Sequence, residues 1–291
     1  METDLHQDKQ FGEYQSLLFP FAYNITGDYM ASEDIVVEVL NHHILHDNPD
    51  IHNPRHYLIK SVVNKAINQK QLLRTRKEKY PGPWLPSPVV TADAIYDAAD
   101  KDKVLEYSLL VLMEQLTPKE RAVFILKETF DFSHEEIAEI LKIKTDGSRQ
   151  LLKRSKEKLQ THDNQSAKLS DASKELLNSL TQAILNADID KATLLLANDV
   201  QFISDGGPNV RASRKILTGA DHVVKMLQAI YGKFLPGNST TTFTELNHNP
   251  AILFFDEGKL FRVLLFHIHD RHITNVFVVL NPDKIQNIGL S

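Results

Sequence analysis

Two stretches of this chain concentrate positive side chains. Residues 51–80 carry Arg55, Lys60, Lys65, Lys70, Arg74, Arg76, Lys77 and Lys79 against Glu78 alone. Residues 141–160 carry Lys142, Lys144, Arg149, Lys153, Arg154, Lys156 and Lys158 against Asp146 and Glu157. The background is acidic. Residues 1–50 hold ten carboxylates and one lysine, and the net charge is −5. Binding phosphates requires a local positive face rather than a positive total. Two separate basic segments therefore suggest two contacts along one extended polyanion, the alternative being two solvated helix faces. Asn64, Asn68 and Gln69 lie among the first set of bases. Their amides can pair with base edges, while Lys65, Lys70 and Arg74 suit phosphates.

Other chemistry is thinly represented. The chain has no cysteine, which excludes disulfides and thiolate catalysis. His267 and His269 stand two apart in a β-like run and so share a face, where they could ligate a metal with Asp205 or Asp221. No third ligand has a convincing spacing, and packing or exposed polar positions account for both histidines. No acid–base pair is evident, so neither an enzyme, a metal site nor a cofactor is expected. The N-terminal METDLHQDKQ is not a signal peptide, and no run of about 18 apolar residues exists. A cytoplasmic protein with no membrane partner is expected.

The elements that must hold these residues fall into three blocks, and 291 residues suffice for two or three domains. In the first, residues 8–80, Phe11, Tyr14, Leu17, Leu18, Phe21 and Ile25 mark one helix face, which Gly27-Asp28 ends. Ser32 is the expected cap of a second helix and Asn53-Pro54 the start of a third, with the bases facing outward. Residues 81–88, PGPWLPSP, exclude helix and central strand, and open a linker over 81–103. In the second block, 104–160, Thr117 with Pro118 and Glu120, and Ser133 with Glu136, are capping-box starts. Two short helices around Lys142-Ile143 form a helix-turn-helix, although Lys142 sits where such turns often carry glycine. Lys144, Thr145, Ser148 and Arg149 open its second helix, from which major-groove edges are read. Arg149 suits either a bidentate guanine contact or a phosphate clamp; Lys153 and Arg154 suit phosphates. Gly147 within that helix costs about 1 kcal/mol relative to alanine. A polar linker spans 161–174. In the third block, 175–291, helices precede strands at 200–204, 251–255, 260–268 and 273–280, an α+β domain with an antiparallel sheet.

Basic helix, linker and helix-turn-helix together resemble a sigma-70 family sigma factor of the extracytoplasmic-function type. GPWLPSP is similar to the GPWLPEP-type linker of the subgroup with a C-terminal SnoaL-like domain. SDGGPNVRA (204–212) resembles its DGGGK-type motif and LNPDKI (280–285) its NPDKL-type ending. Pro208 and Asn209 stand where that pattern has glycine and lysine, and Val37 where the family usually has glutamine. The resemblance implies two all-α sigma domains followed by an α+β SnoaL-like/NTF2-like cone. Region 2 would be 8–80, region 4 would be 104–160 and the regulatory domain 175–291. It implies core RNA polymerase (the beta-prime subunit and others) as a partner, met by Glu33, Asp34 and Glu38, together with double-stranded and melted promoter DNA. Asn64, Lys65, Asn68, Gln69, Lys70 and Arg74 would serve the −10 element, and Lys144, Thr145, Ser148, Arg149, Lys153 and Arg154 the −35 element. Trp84, Leu85 and Pro86 would dock near Asp205, Gly206, Gly207, Asn281, Pro282 and Asp283, the alternative being that Trp84 packs on neighbouring helices. The third domain would regulate the others in cis and could bind a small ligand. The rival reading is a SnoaL-type ligand-binding or enzymatic module fused to a DNA-binding regulator that recruits no polymerase.

Overall fold

The computed structural model describes residues 2–45, 52–91, 102–159 and 170–288. Part of the expected linker 81–103 and most of 161–174 lie outside them. The described residues divide into two compact units. The first holds α1 (Glu2–Thr26), α2 (Tyr29–Leu45) and α3 (Pro54–Lys77), then α5 (Pro118–Phe124), α6 (His134–Leu141) and α7 (Thr145–Leu159). The second holds residues 79–91, 106–108 and 170–288. A short helix, α4 (Tyr107–Leu112), begins within 106–108.

Local chemistry explains most helix starts in the first unit. Asn53 accepts from the His56 N–H, and Pro54 takes the first position of α3. Thr117 and Ser133 complete capping boxes with Glu120 and Glu136. Ser32 is not the cap of α2, which begins three residues earlier. Asp28 Oδ1 accepts from the Ala31 N–H instead, and Ser32 is buried, its hydroxyl bonded to Thr26 Oγ1 and the Asp28 carbonyl. Lys142 ends α6 in the left-handed conformation, at φ 52°. It occupies the place where glycine is usual, and the tight turn into α7 follows from it.

Leu18, Phe21, Ile25, Val36, Leu40, Leu58 and Val62 share one core with Met113, Val123, Leu126, Ile137, Ile140 and Leu159. The two helical blocks, legible in sequence as separate domains, thus pack on each other. Not every base faces outward. Lys70 is buried and donates to Glu114 at 2.6 Å and to the Thr26 carbonyl at 2.8 Å. Arg121, fully buried, donates to Glu114 at 2.8 Å and to the Asn24 carbonyl at 2.7 Å. These cations satisfy carbonyls at the C-terminal end of α1, where the helix dipole favours positive charge.

The second unit is a six-stranded mixed sheet in the order β2-β1-β6-β5-β4-β3. Its strands are β1 (Leu196–Asp205), β2 (Leu217–Thr218), β3 (Ser239–Leu246), β4 (Asn249–Asp256), β5 (Lys259–His269) and β6 (His272–Val279). The expected antiparallel sheet needs correcting at its centre, because β1 and β6 pair in parallel. Strands β3 to β6 form hairpins with two-residue loops, Asn247-His248, Glu257-Gly258 and Asp270-Arg271, all at positive φ. Such loops match the strand twist. Helices α8 (Asp171–Leu185), α9 (Ile189–Leu194) and α10 (Ala220–Gly232) cover the face bearing Ile252, Phe254, Leu264 and Phe266. Leu253, Phe255, Val263 and Leu265 alternate with these and are buried as well. Burial on both faces explains the unbroken apolar run in β5. A last short helix, α11 (Pro282–Ile285), follows β6. No helix among the described residues is long and apolar enough to cross a membrane.

The Glu114 cluster generates a testable stability effect. Burial alone raises the Glu114 pKa, but Lys70, Arg121 and Lys77 outweigh it and bring the group down to about 2. A depressed carboxylate contributes stability that is complete above its unfolded pKa of about 4.3 and is lost as pH falls toward the folded value. Glu114→Gln leaves Lys70 and Arg121 buried without a counter-charge and is expected to cost about 3–5 kcal/mol. Urea unfolding at neutral pH, followed by circular dichroism, will show the lower midpoint. Acid titration will show a shallower loss of stability between about pH 4.3 and 2. Identical midpoints and acid slopes in both proteins would remove the cluster from the stabilising interactions of this unit.

Candidate nucleic-acid interface and linker dock

On α3, only part of the expected −10 set lies open. Asn68 and Arg74 are exposed, and Gln69 is partly so. Lys65 pairs with Glu38 at 2.7 Å. Asn64 is turned toward α6, its amide donating to the Ile140 carbonyl at 2.9 Å and to the Lys60 carbonyl at 2.7 Å. Lys60 adds a 3.1 Å contact to Glu139. Lys70, expected on phosphate, is instead the buried partner of Glu114; burial lowers its pKa to about 8 against the raising effect of that carboxylate. The physical reason is the shared core: α3 presents one side to α1 and α2 and another to α5 and α6.

Most of the helix-turn-helix face is accessible. Lys144, Arg149, Lys153 and Arg154 are exposed, and Thr145 opens α7. Arg149 is held by Asp146 at 2.9 Å and lies 3.6 Å from Glu135, contacts that a guanine or a phosphate could exchange for its own. Ser148 departs from expectation. It is fully buried against α6, its hydroxyl 2.9 Å from His134 Nδ1, and so orients α7 rather than facing a groove. On α2, Asp34 and Glu38 are exposed, while Glu33 accepts from the Tyr29 hydroxyl at 2.6 Å.

The proline segment belongs to the second unit, and its anchor is Asp205 at the end of β1. Asp205 is 1% exposed. Its Oδ1 accepts from the Tyr80 hydroxyl and the Gly207 N–H, and its Oδ2 from the Leu85 N–H at 2.9 Å and Lys284 Nζ at 2.7 Å. Lys284 Nζ also donates to the Leu85 carbonyl and stands 3.5 Å from the centre of the Trp84 ring, a cation–π contact. Tyr80 and Trp84 meet edge to face at 4.6 Å. Burial, and then the hydrogen bond and charge of Asp205, raise the Tyr80 pKa, so its proton stays on the phenol. Gly206 and Gly207 are sterically required. A Cβ on Gly206 would collide with the Val210 carbonyl, and one on Gly207, at φ +65°, would lie 2.7 Å from Asn281 Cγ.

Farther along, the Asn247 side chain accepts from the Val89 N–H at 2.8 Å, and Val90 bridges antiparallel to Leu246 on the outer strand β3. Tyr107 donates its hydroxyl to the Pro86 carbonyl and packs on Phe277. Leu85 and Pro86 are buried and Trp84 partly so. Asn281 donates to the Tyr80 oxygen at 3.0 Å and accepts from the Asp283 N–H at 3.2 Å, while the side chains of Pro282 and Asp283 are exposed. Tyr80 and Lys284 went unread in the sequence although one directly precedes PGPWLPSP and the other lies within LNPDKI; only the fold shows that their polar ends meet on Asp205. His267 bonds Thr274 Oγ1 and His269 pairs with Asp270. Among the described residues no group of three or more His, Cys, Asp or Glu could hold a metal.

Asp205→Asn should weaken every contact of this anchor. Removing one partner of a buried ion pair costs about 3–5 kcal/mol. Trp84 is the sole tryptophan, so its emission should shift red in Asp205→Asn. Asp205→Asn combined with Lys284→Met should be less destabilised than the sum of the two single changes. Unchanged emission together with strict additivity would show that the pair does not hold the segment.

Residues 107–159 match the family model for sigma-70, region 4. The chain is 29% identical over 243 residues to the ECF RNA polymerase sigma factor SigJ of Mycobacterium tuberculosis, covering 78% of this chain and 75% of that protein. It is 24% identical over 280 residues to a protein of the same organism named "Probable ECF RNA polymerase sigma factor SigI", covering 94% and 92%. The crystal structure of M. tuberculosis SigJ superimposes with a TM-score of 0.75 at 25% identity, covering 96% of this chain and 98% of that one. With a region 4 match over its helix-turn-helix, similarity to extracytoplasmic-function sigma factors along most of its length and an α+β domain after its helices, the chain is similar throughout to the extracytoplasmic-function sigma factors of the sigma-70 family.

Proposed function

We propose that this chain directs core RNA polymerase to a set of promoters and is restrained in cis by its C-terminal domain. The observation that carries the reading is the exposed basic face of α7, which packs on the capped helices α5 and α6 within the residues that match region 4. Lys144, Thr145 and Arg149 read the −35 element, and Lys153 and Arg154 hold phosphates. Asn68, Gln69 and Arg74 engage the −10 element, joined by Asn64 and Lys65 once region 4 moves off α3. The exposed acids Asp34 and Glu38, with Glu33, meet the beta-prime subunit. The restraint acts through the linker. Tyr80, Trp84 and Leu85 lie between the two DNA-reading blocks in sequence and are gripped by the C-terminal unit, which limits how far those blocks can separate. The chain does no chemistry of its own in this reading.

Reconstituted transcription tests it. Purified protein with core polymerase should initiate at promoters selected by the holoenzyme, and removal of 175–291 should alter the yield. DNA binding with no initiation on any selected template would favour a regulator that recruits no polymerase.

Two substitutions separate reading from holding. Arg149→Ala should lose about 1–3 kcal/mol of discrimination at one −35 position. Lys153→Ala should weaken all sequences alike and reduce the salt slope by about one unit. Binding to promoter variants at several salt concentrations distinguishes them, and uniform weakening by Arg149→Ala rules out base reading.

Strand opening offers a second comparison. Asn68→Ala should preserve closed-complex binding while lowering permanganate reactivity of promoter thymines. Asn64→Ala, which frees the Ile140 carbonyl, should in addition loosen the packing of α3 on α6, seen as faster amide exchange in α6. Full thymine reactivity with Asn68→Ala takes that residue out of melting.

A further inference from the structure

The least satisfied charge among the described residues lies inside the C-terminal domain. Arg262, on β5, is 6% exposed. It faces the helix-covered side of the sheet, directly across from Phe254 on β4. Its Nη2 donates to the Phe234 carbonyl at 3.0 Å. Its Nε and Nη1 are buried with no hydrogen-bond partner, and no carboxylate among the described residues pairs with it. The guanidinium carbon sits 5.6 Å from the Phe254 ring centre and 5.1 Å from that of Phe261. Tyr231 on α10 packs edge to face on Phe254 at 5.5 Å, its hydroxyl near Thr181 on α8.

Arginine stays protonated in proteins, so burial does not discharge it. Elsewhere this chain pairs its buried cations: Lys70 and Arg121 with Glu114, Lys284 with Asp205. Among the buried cations of the described residues, Arg262 alone has aromatic walls and one carbonyl in place of an anion. A buried cation with free N–H groups is satisfied by an acceptor brought from outside. A single positive charge calls for a monoanion, and the planar fork matches a carboxylate. The rings beside it suit a flat apolar body.

We propose that Arg262 anchors a binding site in the C-terminal domain for a small carboxylic acid with a flat apolar body. The site owes nothing to the promoter-reading residues, so it stands or falls without polymerase or DNA.

Benzoate is the probe, with benzamide as its neutral isostere and inorganic phosphate as a generic anion, each titrated into the full-length ¹⁵N-labelled chain. The Nε–Hε resonance of Arg262, assigned by its loss in Arg262→Lys, should move saturably with benzoate. Benzamide and phosphate should each bind at least tenfold more weakly. Arg262→Gln should weaken benzoate at least tenfold while Tyr231→Phe retains the response. No saturable movement with benzoate overturns the proposal, and so does equal affinity for benzamide. Tighter binding of phosphate overturns the carboxylate assignment. If the Arg262 variants do not fold, the resonance is assigned in the wild type by its nuclear Overhauser contacts to the Phe254 and Phe261 rings, and the wild-type titrations decide the matter.

Discussion

A carboxylate with 1% of its surface in water needs donors, and at Asp205 three of the four come from far away in the sequence. Tyr80 and Leu85 precede it by 125 and 120 residues, and Lys284 follows it by 79. The desolvation penalty of the charge is what makes this contact demanding. If the linker drifts away, both Asp205 and Lys284 lose partners in an apolar setting. The surrounding glycines let the backbone and Asn281 approach closely enough for this convergence. The prolines keep the segment extended at little ordering cost, so its carbonyls and N–H groups can be offered to side chains of the sheet unit. Pairing of Val90 with Leu246 covers part of an outer strand that would otherwise present open hydrogen-bonding groups.

The helical unit is governed by a related constraint with the signs reversed. The end of α1 exposes carbonyls, and Lys70 and Arg121 reach them from α3 and α5. Two cations so placed repel one another, and Glu114 between them makes the arrangement stable. Lys70 therefore serves packing rather than phosphate binding. The same shared core turns Asn64 toward the Ile140 carbonyl. Of the two basic segments, α7 has most of its charges in water and α3 has only some. The basic face of α7 is thus open, while part of that of α3 is covered by α5 and α6.

Helix starts, the helix-turn-helix and four of the six strands were legible because each rests on local rules: a capping side chain, a proline at a first turn, a β-branched run between turns. The strands β2 and β3 and the helix α10 were not read. β3, STTTFTEL, is largely polar because it lies at an edge, and β2 has only two residues. Ser32 looked like a cap because caps are judged from residue type, whereas Asp28 had the geometry. The parallel pairing of β1 with β6 joins residues more than seventy apart and leaves no local mark.

By itself the sequence determined the kind of protein: two basic helices, a stiff tryptophan-bearing linker, a capped helix-turn-helix and a β-rich third block, all consequences of short-range patterning. Only the tertiary structure decided which charges face water. Whether Lys70 meets solvent or Glu114, whether Ser148 meets DNA or His134, and whether Arg262 finds an acceptor depend on which distant surfaces are brought together. The physical reason is that a charged side chain costs little in water and a great deal in the interior. Its role is thus set by its surroundings, and those are built from residues that its own neighbours in the chain do not reveal.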